Sequence, residues 1–373
     1  MIPIHISSSA DTSTHATERT YPAHSAKFAW VFVALSAWMI LGIFVDGWAH
    51  THGQTDSSFF TPWHAMLYSG FLVFSMALAS VALYNWRRGY AIAYLLPQGY
   101  RLSLIGSAIF MIGGIGDMAW HSVFGVEADV EALYSPTHLL LTVGGLLIAS
   151  GAWRAPKATS GPLSLQLPML LSLTLTLSLF TFFLQTAHPL ANLWGVRGGQ
   201  QATLNLEPMP LQSTADHTHD HRRLTEAQRW ERELGMTGII LDSALTTGVL
   251  LLLLRRKPAR GAFTLVIGLN AVLMGVLYDV AGYPVAFVIA RILAGLVADT
   301  VYAVWRAQTT QGSFMRNFVF VVVAAMVALY FGTAALMSGF AWSIHLWAGS
   351  IVISGITAWL MGYIAAPATQ PIE

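Results

Sequence analysis

Two stretches of the chain set aspartate and histidine at the same spacing. The first reads DGWAHTHG at 46–53 and continues as TPWHAMLYSG at 61–70; the second reads DMAWH at 117–121 and continues as SPTHLLLTVG at 135–144. Both contain Asp-x-x-x-His, then Ser/Thr-Pro-x-His, then a glycine six residues after that histidine. Asp46 and Asp117, like His50 and His121, are 71 residues apart, whereas His64 and His138, like Gly70 and Gly144, are 74 apart. This is an internal repeat of a two-helix hairpin, with three residues inserted in the second loop.

The repeated residue types suit metal ligation. Asp and His four apart near a helix end project from one face and can reach one ion. Proline in the first turn of the next helix fixes where that helix starts and holds the following histidine within the same turn. One hairpin therefore offers an aspartate, a histidine and a facing histidine: Asp46, His50 and His64 in the first, Asp117, His121 and His138 in the second. His52, and in the second loop Glu127, Asp129 or Glu131, could complete a site or orient an imidazole. With no cysteine in the chain, a metal must rest on imidazole and carboxylate, a donor set that suits copper, iron and zinc alike. The plainer reading makes these residues interfacial helix caps, with Trp48, Trp63 and Trp120 as an aromatic belt. That account suffices for the tryptophans, but it does not explain why the whole Asp/His pattern occurs twice.

The elements that carry these residues are membrane spans. Of 373 residues, 55% are hydrophobic and 10% charged, and the mean hydropathy is +0.58. The apolar runs predict an all-α bundle of about ten spans, at 28–45, 62–83, 101–119, 136–153, 166–187, 235–254, 262–279, 284–305, 317–338 and 342–364. Residues 1–27 and 367–373 read as cytoplasmic tails, 28–366 as one transmembrane domain, and 188–234 as a long extracytoplasmic loop. With both termini inside, 13 of the 19 Lys and Arg fall in cytoplasmic segments and five in that one long outer loop. The same topology puts every histidine beyond the N-terminal tail at or near the outer face: His50, His52, His64, His121, His138, His188, His217, His219, His221 and His345. A net charge of +1 without a basic stripe argues against nucleic acid as a partner, leaving the bilayer and a small or lipophilic molecule.

Other features carry weaker signals. The tract DHTHDH at 216–221 can collect metal loosely, though a solvated loop explains it as well. Asp242, Asp279, Arg291 and Asp299 fall within or at the ends of apolar spans, where ionisable groups should face the interior and pair; Asp242 and Arg291 lie at similar depth and form the expected pair. DVAGYP at 279–284 reads as a decayed third copy of the motif, with Tyr283 in the histidine position, and His345, opening the last span, is a further candidate ligand. His5, His15 and His24 belong to no motif.

The spacing of Asp46, His50 and His64 resembles the intramembrane copper site of the particulate methane and ammonia monooxygenases, and Asp117, His121 and His138 resemble it more loosely. The resemblance covers a few residues in two loops and implies copper and oxidative chemistry. The expected function is a copper- or iron-dependent membrane oxidoreductase in a bacterial inner membrane, its metal site extracytoplasmic, with Glu127 as proton carrier. A transition-metal transporter and a zinc-dependent membrane hydrolase are the alternatives, the latter using Glu127 or Glu131 as base.

Overall fold

The computed structural model describes residues 21–23, 25–54, 60–125, 133–156, 161–198, 226–278, 285–305 and 311–365. Its helices are α1 (Ala26–Thr51), α2 (Pro62–Arg87), α3 (Arg101–Phe124), α4 (Pro136–Ala149), α5 (Gly151–Arg154), α6 (Leu163–Phe183), α7 (Pro189–Asn192), α8 (Glu226–Leu254), α9 (Ala262–Leu277), α10 (Val285–Trp305), α11 (Gln311–Met337) and α12 (Ile344–Ala365). No strand occurs among the described residues beyond one isolated bridge, Val196 to Phe340. Eight helices are long and apolar enough to cross a membrane, which makes the chain a multi-pass helical membrane protein by length and composition. The two other expected spans correspond to shorter apolar helices, Pro136–Ala149 and Ala262–Leu277. At Ser150 the first of these bends without parting, since the Ser150 amide still donates to Leu146 O at 3.1 Å and the path continues into α5.

The repeat is visible in backbone packing as well as in sequence. A Cβ added to Gly70 in α2 would lie 2.7 Å from Met39 N in α1, and one added to Gly144 in α4 would lie 2.7 Å from Phe110 N in α3. Met39 and Phe110 are themselves 71 apart, the offset of the paired aspartates. Gly42 lies against the Leu67 backbone and Gly113 against that of Leu141, again at offsets of 71 and 74. Each hairpin therefore closes on two glycines, which let the helix backbones touch as they do in membrane helix pairs. That close approach brings the Asp/His ends of the two helices together.

Behind the hairpins, α6 packs on α1, α4 and α9, while α8 packs on α11 and α12. Polar side chains join α6 to its neighbours: Asn270 donates to Thr181 Oγ1 at 2.9 Å, and Ser172 donates to Ala149 O at 2.5 Å. Residues 187–196, the start of the long loop after α6, are all buried. The segment folds back into the bundle, where Trp194 donates to Ala187 O at 2.7 Å and Tyr330 donates to Trp194 O at 2.9 Å. Gly238 on α8 gives it room, because a Cβ there would fall 1.8 Å from Ala187 O. Enclosure lets the carbonyls of this irregular segment find protein partners in place of water.

Candidate metal centre

In the second hairpin the Ser/Thr-Pro-x-His element is an N-cap. Ser135 Oγ accepts from the His138 amide at 3.3 Å and Pro136 occupies the first helical position, so His138 sits in the first turn facing the end of α3. Its Nε2 lies 3.3 Å from Asp117 Oδ1, and His121 Nε2 lies 3.5 Å from the same oxygen. One ligand atom from each of the three residues falls within a group no more than 4.8 Å across. With metal–ligand distances near 2.1 Å, the edge of a tetrahedral site is about 3.4 Å, so both Asp–His separations fit ligands sharing an ion as well as they fit direct ion pairs.

Hydrogen bonding decides which nitrogen His121 can offer. Its Nδ1 is 3.1 Å from Gly125 O, and a carbonyl only accepts, so Nδ1 carries the proton. In the neutral imidazole, Nε2 then turns a lone pair toward the Asp117 carboxylate. Two acceptors facing each other need a cation between them, either a proton or a metal. Asp117 is 1% exposed and takes a further hydrogen bond from Thr137 Oγ1 at 2.9 Å. Thr137 is the x of Pro-x-His, a position that spacing alone does not single out; a hydroxyl next to the motif histidine is the one signal the sequence carries.

The first hairpin repeats the arrangement more loosely. Thr61 Oγ1 accepts from the His64 amide at 3.1 Å, and His64 Nε2 lies 3.5 Å from Asp46 Oδ1, while His50 Nε2 stands 3.9 Å from Asp46 Oδ2. Side-chain exposure is 20% for Asp46 and 33% for His50. Trp63 replaces Thr137, so this hairpin has no hydroxyl at the corresponding position. Around both loops, Phe60, Met118, Val123 and Phe124 are exposed apolar residues.

Several other expected residues are placed elsewhere. His52 is not drawn into the first cluster: its ring stacks on Trp48 at 4.6 Å between centroids and its Nδ1 lies 2.8 Å from Trp48 O. His345 is exposed in the first turn of α12, a helix that packs chiefly on α8 and α11. Glu127, Asp129, Glu131, Asp279, Tyr283, the 216–221 tract and the N-terminal histidines lie outside the described residues.

Asp242 and Arg291 do pair, in direct contact, with both side chains buried. A histidine that belongs to neither motif joins them. His188 caps α7, its Nδ1 accepting from the Leu190 amide at 3.2 Å, so the neutral ring keeps its proton on Nε2. That nitrogen lies 3.3 Å from Asp242 Oδ1, within ionic reach but off the line of a good hydrogen bond. Asp299, the other intramembrane acid described, caps α9 from α10: its carboxylate accepts from the Gly261 and Thr264 amides, each at 2.9 Å. A groove of about 600 Å³ between α10 and α11, lined by residues such as Ala290, Leu293, Ala325 and Leu336, shares no residue with either Asp/His cluster.

No protein-family model, curated protein or solved structure matches this chain.

Proposed function

We propose that this chain is an integral membrane metalloprotein with a transition-metal site at its extracytoplasmic face, acting as a copper- or iron-dependent oxidoreductase on a small or lipophilic substrate. The proposal includes ten spans with both termini cytoplasmic, the arrangement that puts both Asp/His clusters outside. One contrast carries the reading. Among the described residues, Asp242 is neutralised by Arg291, whereas the only ion-pair partners of Asp46 and Asp117 are histidines. A guanidinium is always charged, but an imidazole need not be at neutral pH. A buried carboxylate without a permanent counter-charge is costly, and a bound cation removes that cost.

In this reading Asp117, His121 and His138 hold the metal in the second hairpin, and Asp46, His50 and His64 hold it in the first. Thr137 fixes the Asp117 carboxylate, and Gly125 O fixes the His121 tautomer. Copper or iron bound there supplies one-electron redox chemistry that protein side chains lack. The exposed apolar residues around the loops favour a lipophilic substrate arriving from the bilayer interface. A transporter would require the intramembrane charges to form an open path inward. Asp242 is instead held by Arg291, and Asp299 is engaged in capping α9, which supports a site that keeps its ion.

Metal content of gently purified protein, measured by elemental mass spectrometry, tests the proposal. Copper or iron in the wild type, with its content lowered in both His64→Ala and His138→Ala, is the expected result. Zinc alone would move the assignment to hydrolysis, and no metal after reconstitution would overturn it.

A further inference from the structure

The two Asp/His clusters belong to different hairpins, and their relative position follows from how α2 packs on α3. These helices run antiparallel, so a step outward along α3 is matched by a step back along α2. Phe71 stacks on Phe110 with ring centroids 4.6 Å apart. One turn further out, the Tyr68 ring lies over Gly114, where an added Cβ would be 2.9 Å from the ring and 3.2 Å from the phenol oxygen. The next turn outward sets His64 level with Asp117. Within each hairpin the register agrees, since Asp46 faces His64 and Asp117 faces His138. Both clusters therefore occupy one layer on neighbouring helices.

From this register we infer that the duplicated hairpins form one paired centre for two transition-metal ions, with Tyr68 as the positioning residue beneath both. The inference rests on the metal-binding reading above. Adjacent helix axes are about 8–10 Å apart, so the two ions would lie on the order of 10 Å from each other. Tyr68 stands one turn below His64 and touches α3 through the bare face of Gly114. Its ring lies 6.0 Å from that of His64 and its hydroxyl lies against Gly114, one turn below Asp117, where the missing Cβ makes room for it.

The test uses full-length protein in detergent, stripped of metal and titrated with Cu(II) alone, read by stoichiometry and by electron paramagnetic resonance. Two ions per chain with dipolar broadening of the signal are expected. His64→Ala and His138→Ala should each leave one ion with an unbroadened spectrum. Two ions with no broadening and a dipolar separation over about 20 Å, twice the helix spacing, would overturn the paired centre while leaving metal binding intact. A single ion lost in both variants would also overturn it, and no binding at all would remove both this inference and the functional reading. Tyr68→Phe keeps the ring on Gly114 and removes only the hydroxyl. It should lower affinity for the second ion several-fold at unchanged thermal stability, while unchanged affinity and spectrum would refute the part assigned to the phenol.

Discussion

Thr137→Val is the most discriminating perturbation of the second cluster, because it alters no proposed ligand and barely changes side-chain volume. The Thr137 hydroxyl donates at 2.9 Å to Asp117 Oδ1, the oxygen that also lies 3.3 Å from His138 Nε2 and 3.5 Å from His121 Nε2. Losing that bond frees the carboxylate to rotate about its last torsion, and the oxygen leaves the position where both imidazoles face it. Removing a hydrogen bond that orients a ligand typically lowers metal affinity by about 10–100-fold, equivalent to about 1.4–2.7 kcal/mol. Competition against a chromophoric chelator, with the apoprotein in detergent, would measure this directly. Thr137→Ser, which retains the hydroxyl, should bind within a few-fold of wild type. The first hairpin has Trp63 at the equivalent position, so its affinity should not change in either variant. Wild-type or tighter binding by Thr137→Val at the second hairpin would refute the argument, since the hydroxyl would then be merely a helix-terminal cap.

Three further outcomes follow from the same geometry. Arg291→Met leaves Asp242 buried without its counter-charge and should destabilise the bundle by about 3–5 kcal/mol, while the double variant Asp242→Asn, Arg291→Met recovers most of that loss; thermal unfolding in detergent measures both. Gly144→Ala drives a methyl into the Phe110 backbone, where the added Cβ would meet N at 2.7 Å. It should cost about 1–3 kcal/mol and weaken metal binding from a position that touches no ligand, as chelator competition can show. Metal binding requires ligands free of protons, so affinity should fall as pH drops and protons compete with the ion. Calorimetric titrations at about pH 7.5 and about pH 5.5, within the range where histidine ligands are sensitive to protons, should show weaker binding at the lower pH, and equal affinities would count against histidine ligation.

The hairpins were legible in the sequence because duplication exposes them: the 71 and 74 offsets recur in Met39 and Phe110, and in Leu67 and Leu141, residues with no polar chemistry of their own. The Asp242–Arg291 pair was legible for a different reason, since two opposite charges at one depth in apolar helices have few partners available. Thr137 and Tyr68 were harder to see. A threonine in a helical first turn is common, and a tyrosine near a membrane interface is usually a belt residue, so neither type signals a site until packing places it. The fold-back of 187–196 was hidden more deeply. Its residues read as a loop, and only Gly238 and Gly235 on α8, which admit Ala187 and Trp194, reveal that the loop enters the bundle.

The two hairpins share the paired glycines and the Asp/His spacing, and they differ in how the ligand residues are enclosed. In the second, Asp117 is 1% exposed and held by Thr137, with both histidines at the edge length of a compact site. In the first, Asp46 is 20% exposed, His50 stands off at 3.9 Å and Trp63 supplies no hydroxyl. Closed sites retain metal, whereas catalytic sites keep a position open. The asymmetry lies at the carboxylates: Asp117 is enclosed and held by Thr137, whereas Asp46, near the exposed Phe60 and the Trp48–Trp63 pair, is the more accessible of the two.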